Sequence, residues 1–548
     1  MPATASGGGG GWVPPPTSLV VSTGAVPGTT FVPLINSGDV AFGETFSGLP
    51  DGIGAVPRRN HFPEWLPWVG SRADYVDLYV NHEESHVPFG LTPTSVFADF
   101  QDSSVTRVRV STTTHQVTDM EVVLPASAGL IRFCSSFMAG PREGFPFYTL
   151  LLNEESNDIL PVPSGAVYGS DPGAGAGSRQ AGYSAWYNTV TGKYDVIAGA
   201  GRHNHENQVV VPGGWWNKIV SLSGDDTFTT TSTVARPNLS QLYMFAGRNF
   251  TDFTRDRGAL YAFRVTATQA GPVNPADPLN NANDYLEIAP GQTWKGEFIR
   301  VPDDIARGTA DRPADPNLPQ EDLPQNLLED WSMANNVFEF VRVEDIDYDP
   351  DNPRVVYFAD TGNSRLFEDA ATGRLYRLGS SDPNVGNSTL SNGRVFRMVL
   401  NKHDPMKVDE FSIVLDASTV GMRAPDNLDA GSNSLILQED ASNARIWRWN
   451  YGPNPADWTH VATVDRDGDP ATSDSGESSG VLDVSRWFGA GWWALDVQAH
   501  DSHVVLDPTS ANPADWYTWS TPPIPPGGAQ YRKHLEAGQL LLMYLPGS

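Results

Sequence analysis

Short apolar runs broken by Gly-, Pro-, Asp- and Asn-rich turns recur along most of the chain, and several of them alternate with polar residues. Tyr75-Val76-Asp77-Leu78-Tyr79-Val80 and Thr106-Arg107-Val108-Arg109-Val110 show this best, with the period of two expected of a half-buried strand. Ser18–Ser22, Met120–Leu124, Leu130–Ser136, Tyr148–Leu152, Tyr194–Ala198, Tyr243–Ala246, Ala259–Val265, Val355–Ala359, Gly393–Leu400, Ser434–Gln438, Ala444–Trp449 and Trp492–Ala499 read as further strands. Leu540–Tyr544 reads as a final strand that closes the structure. The rhythm relaxes over residues 266–335, which are rich in Pro, Asp and Asn and predict an insertion over one face, with one short helix near Leu323–Ala334. Residues 1–17 are Gly- and Pro-rich and predict a disordered arm, which leaves 18–548 for the folded body. Strands at irregular spacing, each free to carry its own loop, suit an all-β fold built as a single irregular β-propeller with loop insertions. A two-sheet sandwich is the rival. So many strands would need several sandwiches, and no linker-like stretch divides the middle of the chain.

Composition narrows the chemistry. The 65 acidic residues against 36 Lys and Arg leave a formal charge of -29, which disfavours a nucleic-acid partner and suits either cation binding or a solvated acidic surface. Cys134 is the single cysteine, so no intramolecular disulfide forms and the fold rests on packing, with any bound metals. No apolar run reaches the roughly 18 residues of a membrane-spanning helix. The first residues show neither a basic segment nor an apolar core, so they do not read as a signal peptide. Oligomeric state and physiological substrate are not legible.

Acidic and amide residues gather where the predicted strands end. Asn81-His82-Glu83-Glu84 follows one strand, and Asn153-Glu154-Glu155 follows another in the same manner. Gly201-Arg202-His203-Asn204-His205-Glu206-Asn207 is the densest run of metal-capable side chains. On a strand, either His203 and His205 face one centre while Glu206 turns away, or the reverse, and spacing does not choose. Arg342 and Glu344, two residues apart, share a face, which sets a guanidinium beside a carboxylate. Pro425-Asp426-Asn427 and Gln438-Glu439-Asp440 add further acids, and Asp465-Arg466-Asp467-Gly468-Asp469 is oxygen-rich without a full EF-hand pattern. Repeated carboxylates at strand ends suit hard cations. Gly-x-Ser-x-Gly, His-Glu-x-x-His and Walker A motifs are missing, which removes local support for those reaction classes.

These blocks, in this order and with Cys134 between the first two, resemble the PhoX-type alkaline phosphatases and their secreted calcium-binding relatives over about residues 30–505. Pro50-Asp51-Gly52-Ile53-Gly54-Ala55 and Leu495-Asp496-Val497-Gln498-Ala499-His500 add to the resemblance. The resemblance implies a six-bladed propeller that hydrolyses phosphate monoesters at calcium and iron ions, and an extracellular or periplasmic location. It also implies metal ligation by Glu83, Cys134, Glu155, Glu206, Glu344, Asp426 and Glu439, and a catalytic role for Arg342 and Glu344, with Arg342 gripping the phosphate. Two alternatives stand beside it: a non-catalytic calcium-binding propeller with an extracellular or surface structural role, and a calcium-dependent lactonase or esterase.

Overall fold

The computed structural model describes residues 12–16, 18–60, 62–63, 72–86, 101–227, 237–276, 281–310, 322–371, 373–379, 382–465, 476–499, 503–505, 516–518, 530–531 and 537–548. The Asp465–Asp469 cluster, beyond its first residue, and His500 lie outside them.

Six strands surround the centre: β1 (Pro50–Arg58), β2 (Phe137–Ala139), β3 (His205–Val211), β4 (Val343–Tyr348), β5 (Pro425–Ala430) and β6 (Glu477–Asp483). Each touches the next in chain order, and β6 touches β1, so the six form a ring. Each is also an edge strand of an antiparallel sheet, β3 and β4 being the two edges of one continuous sheet. Behind β1 lie Tyr75–His82, Ser104–Ser111 and Val117–Leu124. Behind β5 lie Leu435–Glu439, Arg445–Trp449 and Trp458–Val464. The result is a propeller-like all-β fold with few helices.

Alternation explains the local structure. In Ser104–Ser111, Val108 and Val110 are buried between sheets, while Arg109 turns the other way and donates to Asp77 at 2.6 Å. Aromatic rings fill the space between the third and fourth sheets. Phe411 meets Phe263 and Phe338 nearly edge-on at centroid distances of 5.0 and 5.2 Å.

The N-terminal part of the chain closes the ring. Thr30–Asn36 pairs with Ala537–Tyr544, which pairs in turn with Trp492–Ala499 behind β6. Val20–Ser22 pairs with Trp458–Val464 on the neighbouring sheet. The expected closing strand is therefore internal to its sheet, with an N-terminal strand outside it.

Two strand expectations shift. Leu130–Ser136 contributes only an isolated bridge from Phe133 to Glu154, and the strand begins at Phe137; Arg132 sits at φ 45°, which interrupts extended backbone. Residues 266–335 hold the expected helix, Pro324–Ala334, and also the strand Trp294–Arg300. That strand pairs with Ala259–Thr268 on one side and Lys407–Asp416 on the other, which joins the third and fourth sheets edge to edge. Among the described residues no helix is long and apolar enough to cross a membrane.

Candidate metal centre

The chain places acids at one mouth of the ring by a repeated rule. Asp51, Glu206, Glu344 and Asp426 are each the second residue of β1, β3, β4 and β5, and Glu477 is the first of β6. Glu83 and Asp440 directly follow the strands behind β1 and β5, and Glu155 lies two residues after the strand behind β2. Irregular register helps to aim them. The pairings of β1, β3, β4, β5 and β6 with the strands behind them all shift register within the first few residues, and a bulge rotates side chains away from simple alternation.

Donor atoms of Asp51, Glu83 and Cys134 lie within 4.8 Å of one another. The same holds for Cys134, Glu155 and Glu206, for Glu206, Glu344 and Asp426, and for Asp426, Asp440 and Glu477. Shared members link the groups into one band, all buried except the half-buried Asp440. Both carboxylate oxygens of Glu206 and one each of Asp51, Glu344 and Asp426 have no hydrogen-bond partner among the described residues.

Crowding of acids away from water has an electrostatic signature. Burial, and then the negative neighbours, push Glu155, Glu206, Glu344, Asp426 and Glu477 well above the usual carboxylate range. Burial raises Asp51 to about 6. The Cys134 thiol is driven up by burial and by Asp51, whose Oδ2 accepts its hydrogen bond at 3.3 Å. Cations would replace these protons. Unpartnered carboxylate oxygens fit a hard cation, and one thiolate among them fits a transition metal beside it.

Arg342 stands at the edge of the band. Its Nε and Nη2 each donate to Asp226 at 2.6 Å, in a two-pronged pair. Burial would raise Asp226, but the charge and hydrogen bonds of Arg342 outweigh it and hold the carboxyl below its usual range. Glu344 lies 3.5 Å from Nη2 and Asp440 lies 3.9 Å from Nη1. The shared face expected of Arg342 and Glu344 is present.

Glu83, Cys134, Glu155, Glu206, Glu344 and Asp426 thus come together in one band, and Glu439 does not join them. Its carboxylate accepts from Arg423 N and Trp447 Nε1, both at 3.0 Å, and pairs with Arg445 at 2.7 Å. The next residue, Asp440, turns inward instead. The histidine alternative resolves in favour of Glu206. The His203 and His205 rings lie against each other, tilted by 37° with centroids 3.6 Å apart, and both contact Ser223 Oγ, and burial drives both below the usual imidazole range. His82 is similar, held between Gly48 O and Thr106 Oγ1 and lowered by burial to about 4.

Asp51, Asp226, Asp440 and Glu477 are functional candidates that site prediction from sequence missed. A signal exists for Asp440: the predicted strand Ser434–Gln438 ends in two successive acids, Glu439 and Asp440, of which the second joins the band. Gln498 Nε2 supports the band from behind, donating to Asp51 at 2.7 Å and Glu83 at 2.8 Å.

No protein-family profile matches the chain, and no curated protein matches its sequence. Among solved structures, the β-propeller domain of Myceliophteria thermophila Cps50 (Swd1) aligns with 82% of this chain and 93% of that one, at 9% identity and a TM-score of 0.30. Pseudomonas fluorescens PhoX in complex with vanadate, a transition state analogue, aligns with 98% of each chain at 13% identity and a TM-score of 0.57. At that identity the similarity concerns architecture: this chain has a propeller-like all-β fold similar to that of PhoX.

Proposed function

We propose that this protein is a metal-dependent phosphomonoesterase acting at one mouth of a six-bladed β-propeller, with calcium and iron as its metals. The observation that carries the reading is the continuous buried band of acids and one thiol, rich in unpartnered oxygens, with an arginine at its edge. The fold similarity to PhoX, solved with a transition state analogue, supports it. Asp51, Glu83, Glu155, Glu206, Glu344, Asp426, Asp440 and Glu477 would hold the hard cations, and Cys134 would give a soft donor to iron. Such metals, when bound, supply Lewis-acid stabilisation of a phosphoryl group.

The protein's own residues then orient the ester. Asp226 fixes the Nε edge of Arg342, which restricts the guanidinium to one orientation and leaves its Nη1 end toward Asp440. That end would grip a non-bridging phosphate oxygen. Glu344 lies in the band beside the same guanidinium, so ester positioning and cation binding are coupled. No protein nucleophile is required. Small phosphate esters are the substrate class, and a periplasmic or extracellular setting suits a calcium-dependent activity.

Elemental analysis of protein purified without chelator, beside p-nitrophenyl phosphate hydrolysis, tests this. Iron and calcium are expected, with turnover abolished by EDTA. Arg342→Ala should lower kcat/KM by roughly 100-fold or more, in line with loss of a charged oxyanion donor. Cys134→Ser should remove iron and activity together. One observation favours a second reading, a non-catalytic calcium-binding propeller: Asp226 already occupies two donors of Arg342, as in a purely structural ion pair. Calcium without iron and without turnover would establish that reading.

A further inference from the structure

A pair of buried acids stands apart from the band, where the loop of residues 281–288 meets the segment that leads into β4. Asp284 and Glu339 form an isolated parallel bridge, in which Glu339 N donates to Asn283 O at 2.7 Å and Tyr285 N donates to Glu339 O at 2.9 Å. Residues paired across a bridge carry their side chains on the same face, so the two carboxyls stand side by side. Asp284 is fully buried and Glu339 is 3% exposed. Neither belongs to the groups that make up the band.

The pair is short of donors. Leu286 N donates to Asp284 Oδ1 at 2.8 Å, while Asp284 Oδ2 and Glu339 Oε2 have no hydrogen-bond partner among the described residues. The same loop holds two more unpartnered buried oxygens, Asn281 Oδ1 and Asn283 Oδ1. Neighbouring cations do not fill the gap. Arg374 donates to Met333 O at 3.3 Å, and Arg394 lies over the Tyr285 ring and pairs with Asp416 at 3.5 Å. Glu287 adds a third acid instead, its Oε2 accepting from Asn283 N at 2.5 Å and Asp284 N at 3.2 Å. Burial, and then the neighbouring acids, accordingly raise Asp284 to about 8 and Glu339 well above the usual carboxylate range. Buried carboxylate oxygens without donors call for a partner that the chain does not supply. The loop is already held in place for one: Tyr285 Oη hydrogen-bonds to Ser391 Oγ at 2.7 Å, and Asn336 Nδ2 donates to Asn281 O at 3.1 Å.

We propose that Asp284 and Glu339 hold a calcium ion, separate from the ions of the band, that clamps the loop of residues 281–288 to the entry of β4. Two carboxylates, with oxygens of the same loop and water, make the oxygen-only set of roughly six to eight ligands that calcium takes. The pair brings neither sulfur nor imidazole, which favours a hard cation over iron. The clamp steadies the segment that runs on to Arg342 and Glu344.

Elemental analysis of the full chain, equilibrated with calcium and passed through gel filtration, tests the assignment. Asp284→Asn should hold about one calcium fewer per chain than the unaltered protein. A folded Asp284→Asn chain with an unchanged calcium count would overturn the proposal. Hydrogen exchange of the unaltered chain decides the matter even if that variant does not fold: calcium should slow the amides of residues 283–287 at least about tenfold relative to chelated protein, and should do so in Glu344→Gln as well. No slowing there would overturn the proposal, and slowing that vanishes in Glu344→Gln would assign the effect to the band and overturn it too. Neither readout depends on ester hydrolysis.

Discussion

Glu154 and Glu155 are adjacent and serve opposite ends. Glu155 joins the metal-capable band, whereas Glu154 is fully buried against Arg179, which donates to both its oxygens at 2.6 and 2.7 Å and lies over the Tyr168 ring. Both partners have no exposed side-chain surface, so removing one leaves a buried uncompensated charge. Arg179→Ala should therefore destabilise the protein by about 3–5 kcal/mol in urea unfolding. Glu155→Gln, by contrast, should change calcium content and leave the midpoint of the metal-free protein within about 1 kcal/mol; equal losses in both variants would contradict this division of labour. The sequence showed that these paired acids follow a strand but not which of the two turns inward. At the end of a strand the parity of alternation is lost, and for the same reason Glu439 stood in expectation where Asp440 stands in the structure.

Elements matter through their ends. β1 and β6 approach so closely at the band that Gly480, at φ +52°, would bring a Cβ within 2.4 Å of Asp51 O and 2.9 Å of Asp496 Oδ1. Only glycine fits both the left-handed backbone and the contact. Gly480→Ala should destabilise by more than about 1 kcal/mol, because the native conformation is incompatible with a side chain. It should also weaken calcium binding, since Asp51 must move. Thermal melts with and without calcium check this, and a larger loss with calcium present is expected. Long alternating strands such as Tyr75–His82 were legible because one face meets the core and the other carries Asp77 with its arginines. β2 was not, since three residues carry no period. Trp294–Arg300 was hidden by the Pro- and Asp-rich turns on either side. Bulges left no trace in residue type.

At the scale of the molecule, the band makes folding and cation binding one linked equilibrium. Without cations, Asp51 sits near 6 rather than its ordinary 3.8, and Glu155, Glu206, Glu344, Asp426 and Glu477 lie well above the usual range. The folded chain therefore binds more protons than the unfolded one. A carboxyl whose folded pKa is raised contributes its stability below the unfolded value, near pH 4, and loses it as pH rises through the folded value. Buried His82, His203 and His205, held below the usual imidazole range, oppose this only below their unfolded value near 6.5, so chelated protein should lose melting temperature most clearly from about pH 6.5 to pH 8. Cations that replace those protons reverse the trend, because ligand deprotonation becomes cheaper as pH rises. The gain in Tm on adding calcium should be larger at pH 8 than at pH 5. Surface repulsion from the net charge of -29 is screened by salt, whereas the buried band is not, so the difference should survive about 0.5 M sodium chloride. A calcium gain that is independent of pH, or that salt erases, would place the cation effect on the acidic surface and remove the buried band as its source.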